Sequence, residues 1–270
     1  MKRTGLSIVS GIIMLSATNS CQKVVTLDLQ TAPPQVVIEG EVTDASGPYT
    51  VTINRSVAFY ADNNFPAVDG AAVKISDDQG ASDSLTETSP GIYVTHMLQG
   101  RAGGTYTLKV TVNDTTYTAR STMPARVNLD SVTFDNTGGG RFGRKNNIRA
   151  QANYQDPVGV KNYYQFVLYI NGTRFTKDIY AFSDRLTDGK NITQNLRMDS
   201  SYLSPGDLLR VDMYCIDGNV YNYFNQLSQA TGTGAFNTAA APANPSTNIG
   251  NGAYGVFSAH TVSGRTVTVN

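Results

Sequence analysis

The chain has 270 residues, 21 basic and 21 acidic side chains, a formal net charge of zero, and charged residues at only 16% of positions. That balance is far from the basic stripe of a nucleic-acid binder, and a zinc centre is poorly supplied, because the two histidines fall in separate predicted domains. Twenty-five glycines, many Ser, Thr and Asn, and few strong helix formers point to an all-β chain.

Lys2 and Arg3 precede an apolar run over residues 5–15, followed by Leu15-Ser16-Ala17-Thr18-Asn19-Ser20-Cys21. The run is shorter than the roughly 20 apolar residues of a membrane span and has the length of a secretory h-region. Ser20 is the small residue before the cut, while Thr18 stands where an apolar residue is usual, which makes a loose lipoprotein cleavage motif. The expectation is cleavage before Cys21 and acylation of Cys21, with the rest of the chain tethered outside the cytoplasm. The alternative is an ordinary secretory signal in which Cys21 is incidental. Cys215 is then the one free thiol. It alternates with Val211 and Met213, a pattern that predicts a buried and inert group.

Residues 22–34 read as a tether, stiffened at its end by Pro33-Pro34. From Gln35 the period becomes two. Val36, Ile38 and Val42 share one face and Glu39 and Glu41 the other; turn chemistry at 44–48 leads into a strand over 49–54. Further strands are predicted over 72–76, up to Leu85, over 92–94, and most clearly where Tyr106, Leu108, Val110 and Val112 alternate with Thr107, Lys109 and Thr111. Asn113-Asp114 turns this strand into 117–121. Seven or so short strands at this spacing mark an antiparallel sandwich, and Met123-Pro124 marks its exit.

The second unit opens with a strand over 127–134 and a glycine-rich loop over 137–144. Strands follow over 148–154 and 162–170, then the turn Asn171-Gly172 and a return strand over 173–182, because Asn-Gly suits a two-residue hairpin. Another strand covers 208–216. Tyr221, Tyr223, Phe224 and Leu227 put apolar residues three and four apart, which predicts a short helix over 221–228. Residues 230–245 read as a long loop, and strands over 255–260 and 266–269 close the chain. The predicted organisation is a signal peptide over 1–20, a tether over 21–34, a β-sandwich over 35–124 and a β-rich domain over 125–270.

Several of these segments resemble one family. Cys21 to Leu29, Val37-Ile38-Glu39-Gly40-Glu41-Val42-Thr43-Asp44, Gly47-Pro48-Tyr49-Thr50-Val51, Gly70 to Asp78, Gly104-Thr105-Tyr106-Thr107-Leu108 and Ser121-Thr122-Met123-Pro124 are similar to the domain-of-unknown-function 4249 lipoproteins. So are Asn244-Pro245-Ser246-Thr247-Asn248-Ile249 and Gly252-Ala253-Tyr254-Gly255-Val256-Phe257, with Asn251 at a position more often glycine. The resemblance implies a Gram-negative envelope lipoprotein, often encoded beside TonB-dependent receptors. It also implies a first domain like immunoglobulin or carboxypeptidase-regulatory sandwiches. It supplies no activity and no functional residues.

Chemistry-bearing motifs are sparse. Gly250, Gly252 and Gly255 match a dinucleotide fingerprint in spacing only; no strand precedes them and no helix follows. Ser258 and His260 share a strand face, but no acid or nucleophile elbow accompanies them. His96 and His260 therefore read as structural or surface groups. Asp77, Asp78 and Asp83 lack the ligand ladder of a calcium loop and read as turn acids. Tyr164, Phe166, Leu168 and Ile170 line one face of a strand, and Tyr163, Val167 and Tyr169 the other. A strand apolar on both faces is covered twice or covered by a partner. The candidate interaction surface is Tyr163, Tyr169, Tyr221 and Tyr223 beside the 230–245 loop. The expected function is a non-enzymatic outer-membrane lipoprotein with no cofactor, an accessory binding or assembly subunit beside a TonB-dependent uptake receptor. A structural or adhesive lipoprotein is the second reading and a hydrolase the third.

Overall fold

Side-chain alternation sets the layers. The computed structural model describes residues 33–58, 61–62, 64–135, 149–198, 202–231 and 244–270. The first alternating run forms β1 (Val36–Thr43), with Val36, Ile38 and Val42 buried and Glu39 and Glu41 on the opposite face. It pairs with β2 (Thr50–Arg55). Then come β3 (Ala72–Asp77), β4 (Ser82–Ser84), β5 (Thr86–Ser89) and β6 (Ile92–Val94), and the long hairpin of β7 (Thr105–Val112) and β8 (Thr115–Thr122). The second half contributes β9 (Leu129–Asp135), β10 (Arg149–Gln155), β11 (Tyr163–Ile170), β12 (Thr173–Arg174), β13 (Tyr180–Ser183), β14 (Asn191–Leu196) and β15 (Leu208–Cys215). Among the described residues one helix, α1 (Gly218–Ala230), and a closing strand, β16 (Tyr254–Thr268), complete the fold. The fold is all-β and sandwich-like, as expected.

Three sheets result. Nine strands join in the order β12-β11-β15-β16-β1-β2-β6-β5, with β13 also on β11; β14-β10-β9 and β4-β3-β7-β8 form two smaller sheets. Each smaller sheet closes one core against the same face of the large one. The first core gathers Ile38, Val51, Ile53, Ile75, Tyr106, Leu108 and Phe257. The second gathers Leu129, Ala152, Tyr164, Phe166, Leu168, Val211 and Met213. Burial of such side chains is the main term holding the layers together, about 1.5–3 kcal/mol for each large one.

The two expected closing strands are one. β16 runs parallel to β1 from Tyr254 to His260, then antiparallel to β15 from Thr261 to Thr268. Its odd-numbered residues from Gly255 to Ser263 face the interior, while Arg265 is exposed. Phe257 and Ala259 enter the first core and Val269, just beyond its end, the second, with Thr261 and Ser263 buried between them. That stretch is a polar seam. Leu129 N–H donates to Ser263 Oγ at 2.9 Å, and Val127 N–H to Cys215 Sγ at 3.3 Å. Asp44 accepts from Val262 N–H at 2.9 Å and from Arg126 Nε at 2.8 Å. The cores thus change over between Met123 and Val127, near the proposed boundary, while β16 is common to both and residues 34–270 form one compact unit. Gly255 lets β16 lie against β1. Its φ is +102°, and a Cβ there would stand 2.0 Å from the Ile38 carbonyl oxygen. This backbone approach accounts for the glycine at 255, and the positive φ of +76° for the one at 252.

Other departures have local causes. The return strand expected over 173–182 splits into β12 and β13, with residues 175–179 between them. β14 was hidden by its composition, since only Ile192 and Leu196 are apolar. The helix is longer than the expected 221–228 because Asp217 caps it, accepting from the N–H groups of Asn219 and Val220 at 2.8 and 3.0 Å.

Candidate functional site

The outer face of the nine-stranded sheet, opposite the two cores, would be solvated if nothing lay on it. α1 lies on it. Val220 is fully buried and forms a small third core with Ile216 and Val256, bordered by Tyr163, Tyr214, Tyr221, Tyr223 and Phe224. Beside this contact the helix stands off the sheet and leaves a cleft of about 270 Å³. Its floor is a row of outward residues: Thr50 and Thr52 of β2, Glu39 and Glu41 of β1, Ser258 and His260 of β16, Tyr214 of β15 and Gln165 of β11. Tyr223, Phe224 and Leu227 of α1 form the roof, and Arg174 of β12 stands exposed at the rim.

His260 is the most unusual of these groups. Its side chain is 3% exposed, and its ring stacks on Tyr214 with centroids 4.3 Å apart. Nδ1 lies 2.9 Å from Ser258 Oγ. Nε2 is buried without a hydrogen-bond partner, and the nearest carboxylate oxygen, Glu41 Oε2, is 4.0 Å away. Burial pushes the imidazole down to about 4, against the charge of Asp44 and a Ser258 backbone hydrogen bond, so the ring is neutral near pH 7. Burial also raises the Glu41 carboxyl, with Arg174 opposing. Tyr223 is pushed up to about 12, by burial first and then by the charge of Glu39.

Ser258, His260 and Glu41 amount to more than the sequence suggested. The alternation already put Ser258 and His260 on one face, and no acid was in view. The acid comes from the parallel pairing of β1 with β16, which sets Glu41 opposite Ser258. Two facts argue against acyl transfer by this group. Ser258 is buried, and the amides on either side of it are committed: Phe257 N–H donates to Asn248 Oδ1 at 3.0 Å and Ala259 N–H to Ser121 Oγ at 2.9 Å. An oxyanion beside Ser258 would find no donor in those amides. What the arrangement offers is a neutral imidazole nitrogen and a carboxylate facing one another across a gap.

The four tyrosines proposed as a surface are not one exposed patch. Tyr223 roofs the cleft and meets Phe224 edge-on at 5.2 Å. Tyr163 and Tyr221 stack on each other at 4.8 Å and fasten α1 to β11. Tyr169 lies further along the outer face, 5.1 Å from the Arg210 guanidinium. All four are half-buried, because the helix covers the second apolar face of β11. Cys21 and residues 232–243 of the expected loop lie outside the described residues.

The remaining candidates have structural work. Cys215 is buried, and burial raises its thiol. Asp83 is no exposed turn acid. One of its oxygens accepts from the N–H groups of His96, Met97 and Leu98 at 2.8, 2.7 and 3.0 Å. Burial alone would raise its pKa, yet these donors and the His96 ring hold it at about 2. Asp78 pairs with Arg101, and Asp77 accepts from the amides of Gln79 and Ala81. Composition gave no sign of a second group, Asp156, Asp184 and Asp188, whose carboxylates converge within 4.8 Å. Loop donors hold each of them: Tyr164 OH and Gly189 N–H on Asp156, Asn162 N–H on Asp184, Gly159 N–H on Asp188.

Among the described residues no helix is long and apolar enough to cross a membrane. No curated protein matches the chain. A family model does, and its match covers residues 22–266, nearly the whole length downstream of Cys21. The chain belongs to the family described as Domain of unknown function (DUF4249).

Proposed function

We propose that this protein is a non-enzymatic, lipid-anchored binding subunit of the Gram-negative outer membrane, working beside a TonB-dependent uptake receptor. One observation carries the binding part of this reading: the cleft between α1 and the sheet, with a buried and unpartnered imidazole nitrogen facing Glu41. Buried polar atoms are normally satisfied, and a ligand is the economical explanation for one that opens onto a cleft. The anchor part draws on the Cys21 motif and on membership of the family. A structural or adhesive role is the second reading. It draws on Val158 and Leu186, which are 80% and 78% exposed on neighbouring loops.

The tagged native protein, extracted in mild detergent, tests both parts. A TonB-dependent receptor should co-purify with it, and Thr52→Trp, which fills the cleft from its floor, should lower that recovery. Absence of a receptor removes the uptake role, and equal recovery with the filled cleft removes the cleft from it. Cys21→Ala should release the protein from the membrane in detergent partitioning; retention would end the lipoprotein reading.

A further inference from the structure

We propose that the cleft selects ligands carrying a primary ammonium group, which it holds between His260 Nε2 and the Glu41 carboxylate. This rests on the reading of the cleft as a binding site. Three buried side-chain atoms among the described residues lack a partner, and His260 Nε2 is the one that belongs to the cleft lining. The ring's other nitrogen fixes what Nε2 can do. Nδ1 lies 2.9 Å from Ser258 Oγ, a hydroxyl that can accept from it. With the proton on Nδ1 and donated to that hydroxyl, Nε2 presents a lone pair.

Nε2 and Glu41 Oε2 are therefore two acceptors 4.0 Å apart, unable to bond each other. One donor atom with two hydrogens fits between them at about 2.8 Å from each. Water meets that requirement, and charge favours a cation over it. Glu39 and Glu41 lie on the same face of β1 and both line the cleft, while the lining's one guanidinium, Arg174, is exposed at the rim. Among the described residues Glu41 makes no salt bridge with a lysine or arginine, and its side chain is 53% exposed, so a cation in the cleft can reach it. The aromatic roof, Tyr223 and Phe224, suits the methylenes and the charge of an alkylammonium. About 270 Å³ is at the small end for ligand pockets. The occupant is thus a small free amine or a single lysine side chain of a peptide.

The test uses the full chain in detergent, titrated calorimetrically with n-butylammonium, n-butanol, tetramethylammonium and N-acetyl-Gly-Lys-Gly amide. The His260 ring resonance is followed by NMR in parallel. Butylammonium should bind at least tenfold more tightly than butanol, which lacks the charge, and tetramethylammonium, which lacks the N–H donors. It should shift the His260 resonance, and Glu41→Gln should weaken it at least tenfold with an unchanged melting temperature. Tighter binding of the peptide assigns the site to lysine side chains, and equal or weaker binding assigns it to free amines. If butanol moves the His260 resonance as strongly as butylammonium, the cleft binds but the ammonium assignment is wrong. Undiminished amine affinity in Glu41→Gln also overturns it. If no probe moves His260, the cleft reading itself falls.

Discussion

The inner and outer faces of the nine-stranded sheet are made by the same strands under different demands. On β1, Ile38 and Val42 go inward and Glu39 and Glu41 outward; on β16, Phe257 and Ala259 go inward and Ser258 and His260 outward. The inner face is closed by two smaller sheets and, outside the polar seam at Thr261 and Ser263, its contacts are apolar. The outer face is closed over a short length by one helix, and there a polar ring is buried with one nitrogen satisfied and the other not. The inner face stabilises. The outer one keeps an unmet hydrogen bond, which costs stability and is the sort of expense tolerated at binding sites.

The comparison breaks first if inner-face truncation is cheap. Phe257→Ala empties a fully buried position on the strand common to both cores, and should cost about 3–5 kcal/mol by denaturant titration. Both halves should lose their tertiary signals in one transition; a variant melting like the parent would mean that β16 does not couple them.

The next effect belongs to the outer face and to pH. His260 titrates at about 4 in the fold against an ordinary value of 6.5. Below 6.5 the unfolded chain takes up a proton that the fold refuses. The contribution is fully present above that pH and declines as pH falls toward 4, by on the order of 3 kcal/mol. Asp83, held down at about 2, contributes in a lower window, from its ordinary 3.8 downward. Stability measured between pH 7 and 4 should fall for the parent and stay flatter for His260→Phe. Parallel curves would mean that His260 is protonated in the fold.

A smaller gain sharpens the contrast. The double change Ser258→Ala with His260→Phe removes the unsatisfied nitrogen together with its partner, and should raise stability by about 1–2 kcal/mol while abolishing ligand binding. A destabilised double variant would show that the pair is structural. Smallest of all, Tyr221→Leu keeps the apolar contact and loses the stack on Tyr163, for about 0.5–1 kcal/mol. Amide exchange in α1 should quicken while exchange in both cores stays as before.

Much of this was legible from residue order alone. The period of two in β1 and β7 gave their buried faces, and Tyr221, Phe224 and Leu227 located the helix, because both periods are local properties of the chain. Both faces of β11 read as apolar, which asked for a second cover without naming it. The site was not legible for a physical reason. It is made where the first strand meets the last, and strand partnership between distant segments leaves no trace in either segment's own pattern. Glu41 read only as a residue on the face opposite Ile38, and His260 as a structural or surface histidine, until β1 and β16 were seen side by side.

That pairing also bears on when the molecule can fold. Val37 and Tyr254 are partners across roughly 200 intervening residues, and contacts so remote in sequence slow folding because a large loop must close first. Ile249, Ala253, Phe257 and Ala259 complete the first core from beyond that loop. A chain emerging from the ribosome therefore cannot finish its N-terminal half early. It stays loose until β16 has been made and can pair with β1.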